Sequence, residues 1–148
     1  MHDAQRFSEL IKAAPVRTVI SQFQGLFGVE LIVTPRSELE QALEDCTTEV
    51  FDSEAGKLVK RHDGKKFTAW VAGRVAGLHG LSIRKGLTLC GRALPESLKA
   101  RADEPLACET ETVVALCDHV VGFQNWVLAE LSTIAVAAAR RDEDSQEN

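Results

Sequence analysis

The chain has 148 residues, 45% of them hydrophobic and 26% charged, with a net charge of −5. This length and balance exclude a collagen-like repeat and a small scaffold dependent on staples, and they imply a single domain able to bury its own core. The four cysteines stand 44, 18 and 9 residues apart with no C-x-x-C pair, so their spacing offers no zinc motif.

The N-terminus "MHDAQRFSEL" lacks the basic flank and unbroken apolar run of a signal peptide. The most apolar stretch, 113–139, is interrupted by Asp118, His119, Gln124, Asn125 and Glu130, which argues against a membrane span. A cytoplasmic protein with reduced thiols is therefore expected.

In chain order, Phe7, Leu10, Ile11 and Ala14 predict a first helix, interrupted near Ala14 by Pro15. Apolar residues at 16, 19, 20, 23, 26 and 27 fit a 3.6-residue period and predict a second helix, stopped by Gly28. "VELIVT" (29–34) reads as a buried strand, and "TPRSELEQALEDC" as a short surface helix. Strands are predicted at 47–53 and through "KLVKRHDGKKFTAWVAG" (57–73), with a turn at Asp63-Gly64. That register sets Arg61 against Lys66, Val59 against Thr68 and Leu58 against Ala69. It also places Lys57, Arg61, Lys66 and Trp70 on one face. The glycines of "GRVAGLHG" read as turns or bulges, 81–94 as a strand or hairpin, and 95–105 as a helical turn or loop. A long helix is expected from Thr110 to about Arg140.

The resulting expectation is a single α+β domain over 1–141, with a disordered polar tail at 142–148. A mostly antiparallel sheet of about five strands would be flanked by an N-terminal helical pair and the long C-terminal helix. This element order is similar to that of small sensor domains of the GAF and roadblock kind, although no motif accompanies it.

Charge is segregated by sign. Lys57 to Arg101 contains eleven basic and two acidic residues, whereas the rest of the chain holds six basic and twenty acidic. A basic face beside an exposed aromatic suits a small anionic ligand or an acidic protein segment. Lys57, Arg61, Lys66, Trp70 and Arg84 are the candidate binding residues. The acidic chain as a whole disfavours nucleic acid. The competing reading is internal pairing, because seven acids and no base lie between Glu38 and Glu54.

The stretch "ALCDHVVGFQNW" places Cys117 two residues before His119. On a helix such residues point apart, so they form neither a metal chelate nor a thiol–base pair. Cys117 falls in the apolar stripe and reads as a packed thiol. The opposite face carries small residues where charge is expected, and Gln124 stands within the apolar stripe. These features predict a homodimer formed through the C-terminal helix, with Gly122, Gln124, Asn125 and Ala129 at the interface. The first functional expectation is thus a non-enzymatic, homodimeric regulatory or adaptor domain. Alternatives are a small enzyme or redox protein using Cys90 or Cys108 with His79 or His62, and a small acidic dimeric chaperone of the secretion type. No metal ligand set is expected, and no motif names a cofactor.

Overall fold

A computed structural model describes residues 3–147, with side chains described for 6–141. The protein combines helices with antiparallel strands, as expected of an α+β fold, but its five strands form two separate sheets instead of one. Helix α1 (Asp3–Ala13) ends where Pro15 disfavours helix at the preceding residue.

The second predicted helix does not form. Its residues make strand β1 (Thr18–Phe23), antiparallel to β2 (Phe27–Ile32). The branched side chains of Thr18, Val19 and Ile20 favour the extended backbone. Gln24 (φ 51°) and Gly25 (φ 70°) then reverse the chain, with the φ signs of the turns that join antiparallel strands. Of the six apolar positions expected on one helix face, only Phe23 and Phe27 are buried, while Val16, Val19, Ile20 and Leu26 are exposed.

The predicted strand at 29–34 and the helix after it are present as β2 and α2 (Arg36–Asp45). Buried Thr34 donates its hydroxyl to the Ile32 carbonyl at 2.9 Å. Strands β3 (Thr47–Asp52) and β4 (Lys57–His62) form the two-stranded sheet.

The Asp63-Gly64 turn is a second correction. Asp63 caps helix α3 (Gly64–Ala72), accepting the Lys66 N–H at 3.1 Å. Asp-Gly can open a hairpin or a helix. Phe67 and Val71, four residues apart and both buried, favour the helix. The expected pairing of 57–61 with 66–70 is accordingly absent. Arg61 instead lies opposite Thr48, and Val59 opposite Val50.

The segment read as glycine turns supplies β5 (Val75–His79), which completes the β1–β2–β5 sheet with a register irregularity between Glu30 and Leu31. The strand or hairpin expected at 81–94 is replaced by helix α4 (Ile83–Leu89), whose Ser82 cap accepts the Lys85 N–H at 3.1 Å. A 3₁₀ helix covers Glu96–Arg101, in keeping with the predicted helical turn.

The long C-terminal helix is broken. Helices α5 (Thr110–His119) and α6 (Phe123–Glu147) meet at a bend of 112°. Gly122 adopts φ 81° at the break, a left-handed conformation that glycine takes without the steric cost borne by other residues. The bend lets Val113 and Leu116 of α5 share one core with Phe123, Val127 and Leu131 of α6. Among the described residues no single helix is long and apolar enough to cross a membrane. The tail expected at 142–148 falls where no side chains are described.

Aromatic rings fill the space between the three-stranded sheet and α6. Phe23 meets Phe123 and Trp126 edge-on, each at 5.2 Å between centroids, and Phe27 lies 5.6 Å from Phe23. Such pairs each add about 0.5–1.5 kcal/mol beyond area burial.

Candidate functional site

Because 64–72 is helical, the expected basic sheet face divides. Lys66 and Trp70 stand four residues apart on α3 and so lie on one helix face. Arg61 lies one residue before the end of the neighbouring strand β4, with Lys57 about 13 Å away along it at a rise near 3.3 Å per residue. Lys57 lies opposite Asp52, and Lys60 opposite Glu49, so part of the positive charge faces acids of the same hairpin. Arg84 belongs to α4 and lies 3.7 Å from Asp103. The structure therefore unites Lys66 with Trp70, leaves Arg61 next to them in sequence order, and separates Lys57 and Arg84.

Arg74 joins this face and was not among the sequence candidates. It follows the Gly73 cap of α3, and its carbonyl accepts the Ile32 N–H at 2.9 Å, which anchors the backbone to β2. Its guanidinium turns back over the Trp70 ring, 5.6 Å from the centroid. Trp70 in turn stacks on buried Phe67 at 6.0 Å, and Phe67 meets the His62 ring edge-on at 5.3 Å. His62, Phe67, Trp70 and Arg74 thus form a continuous series of ring contacts that ends under the guanidinium. Arg74 Nε is buried without a hydrogen-bond partner. Lys66 Nζ donates to the Asp45 carbonyl at 3.1 Å, which holds that ammonium group at the end of α2. The spacing of Lys66 and Trp70 carries part of the signal when the segment is read as a helix; Arg74 lies two residues past the end of that helix.

The cysteines take different positions. Cys90 is half-buried in an apolar cleft of about 380 Å³, lined by Ile83, Leu87, Leu98, Leu106 and Leu116. Cys108 is exposed, and its thiol donates weakly to the Val75 carbonyl at 3.8 Å. His79 Nε2 lies 3.0 Å from Glu30 Oε1. Burial and then the charge of Glu30 raise the Cys108 pKa. Glu30 thus pairs with the imidazole while opposing formation of the thiolate that a nucleophile requires. Cys117 is pushed up to about 11, first by burial and then by Asp118. His119 is exposed beyond it. Among the described residues, no three or more His, Cys, Asp or Glu side chains gather as a metal set.

The proposed interface residues also divide. Gly122 forms the helix break, while Asn125 and Ala129 are exposed on α6. Gln124 has a partner within the chain, its Oε1 accepting the Thr68 hydroxyl at 2.9 Å. This bond ties α3, which carries the candidate site, to α6.

No protein-family model, curated protein or solved structure matches this chain.

Proposed function

We propose that the chain is a cytoplasmic, non-enzymatic, homodimeric regulatory or adaptor domain. In this reading it receives carboxylates, from an acidic partner segment or a small anionic ligand, on the face of Lys66, Trp70 and Arg74. Arg74 is the observation that carries the reading. A guanidinium backed by an indole ring, with its Nε buried and unpartnered, is a preorganised donor lacking an acceptor. An unsatisfied buried donor costs about 1–3 kcal/mol, and more when charged. A carboxylate meeting the outer N–H groups of the same guanidinium would make a short, charge-assisted and geometrically selective contact beside that buried Nε. The excess of basic over acidic residues between Lys57 and Arg101 would draw such a partner towards the face.

Calorimetric titration of the full chain with a short oligoglutamate peptide and with glutarate tests the reading. Binding is expected to weaken about tenfold or more in Arg74→Ala, as for loss of a charged hydrogen-bonding partner, and to weaken with added salt. Equal affinity of the wild type, Arg74→Ala and Lys66→Ala for both probes, or no binding of either, would refute it. The two probes separate an extended acidic segment from a small dicarboxylate.

A further inference from the structure

The two edges of the β1–β2–β5 sheet differ. On the β5 side the segment Pro105–Cys108 runs alongside: the Cys108 thiol reaches the Val75 carbonyl at the start of the strand, and just past its end Ser82 bridges Pro105 and Leu106 N–H donates to the Leu81 carbonyl at 2.8 Å. Beyond β1 no strand is paired among the described residues. Natural sheets guard open edges with charge, proline or a bulge. Strand β1, "TVISQF", has no charged residue or proline, and its pairing with β2 is regular throughout. An edge of this composition is suited to pairing with another strand.

The direction of each backbone group along that edge follows from the existing ladder. Arg17 O accepts from Val33 N, and Phe23 O accepts from Leu26 N, so these residues turn their backbone groups towards β2. Alternation in an antiparallel pair then points the groups of Thr18, Ile20 and Gln22 outwards. A second copy of the same edge can meet these groups about a two-fold axis at Ile20. Ile20 then faces Ile20 of the second copy, and Thr18 faces Gln22. Each of these pairs exchanges two hydrogen bonds.

Helix α6 selects the occupant. The Ser21 hydroxyl donates to Glu130 at 3.2 Å, tying α6 against β1. Further along, Val19 and Ile134 line a shared hollow with Ala137 and Ala138. Ser132, Thr133, Val136 and Ala137 remain exposed along the same helix. A lone peptide strand would satisfy the edge and leave this helix face uncovered. A second copy brings both a strand and a small-residue helix at the same spacing, and no like charges meet along β1.

We infer that two copies of this chain associate through β1, forming a continuous six-stranded antiparallel sheet with the exposed α6 faces beneath it. The inference rests on the homodimer in the proposed function and replaces Gly122 and Gln124 by Ile20 and the stretch of α6 from Ser132 to Ala138 as its centre.

Light scattering and native mass spectrometry of the full chain test this, combined with three variants. Ile20→Glu sets two carboxylates face to face, and the dimer population should fall about tenfold or more at fixed concentration. Ile20→Cys should oxidise to a covalent dimer, because directly hydrogen-bonded pairs stand about 5.5 Å apart at Cα, within disulfide reach. Gln22→Cys should not, since Gln22 faces Thr18 of the second copy; wild type under the same oxidation controls for the native thiols. A wild-type dimer that survives Ile20→Glu, or that crosslinks equally through Gln22→Cys, overturns the β1 interface and leaves the homodimer standing. A wild-type monomer at all concentrations overturns both.

Discussion

In the three-stranded sheet Phe23, Phe27, Val29 and Leu31 are at most 2% exposed, whereas β3 and β4 contain no buried residue. Within the hairpin Phe51 and Leu58 face each other across the ladder while remaining 66% and 63% exposed. Burial of apolar surface contributes about 25 cal/mol per Å². The first sheet therefore belongs to the core, and the second depends on its ladder, on cross-strand pairs and on its ends. The Asp63 N–H to the Cys46 carbonyl, at 2.7 Å, is one such tie. A segment held this way can carry much of the chain's charge without burying any of it. It can also open locally without unfolding the core.

The largest effect is expected where the contrast is sharpest. Phe123 is fully buried between Phe23 and Phe27. Phe123→Ala should cost about 3–5 kcal/mol, the range for a large aromatic removed from a packed core. Urea denaturation measures it, and a loss below about 1 kcal/mol would mean that the core does not depend on this ring. The Thr68–Gln124 bond should rank next. Gln124→Leu leaves the half-buried hydroxyl unpaired and should cost about 1–3 kcal/mol. Adding Thr68→Val should restore part of that loss, because removing both partners leaves no orphan. If the double variant is no more stable than the single one, the bond is not what Gln124 contributes. Asp63→Ala removes the cap at the junction between hairpin and core. It should cost about 1 kcal/mol and lower amide protection in the first turn of α3.

Legibility did not follow that division and depended on local agreement of signals. The strand after Gly28, the helix after Pro35, the β3–β4 segments and the helical turn after Pro95 were readable because period, caps and prolines agreed locally. Other elements had two valid local solutions. Val16, Val19, Ile20 and Phe23 satisfy a helical period, yet three of them are exposed, and only the partner strand makes β1 the better state. Asp63-Gly64 is suited to a hairpin or a helix start, and the choice depends on what Phe67 and Val71 bury against. Gly122 could remain within a helix at about 1 kcal/mol relative to alanine. The 112° bend is favoured because it brings two apolar stripes into one core. The candidate site inherited these errors. Lys66 and Trp70 follow from a hairpin register that does not form, and they still share a face because four residues is also about one helical turn; Arg74, two residues past the end of α3, does not follow from that register. Gln124 was recognisable as a polar residue in need of a partner, but Thr68, 56 positions away, was not predictable from local pattern.

The smallest effect tests whether the hairpin is held as a unit of its own. Lys60 lies directly opposite Glu49, and both are exposed. Lys60→Glu replaces opposite charges with like charges across the ladder, a change of about 0.2–1 kcal/mol for such pairs. At that size global denaturation should barely move, so hydrogen exchange is the informative measurement. Amides of Val50 and Val59 should lose protection while those of Val29 and Leu31 keep theirs. Added salt should narrow the difference between variant and wild type, because exposed charges are screened within about 10 Å at 0.1 M ionic strength. Equal loss at all four amides would instead show that the hairpin opens only with the core, and the contrast between the two sheets would then describe their surfaces without describing how they unfold.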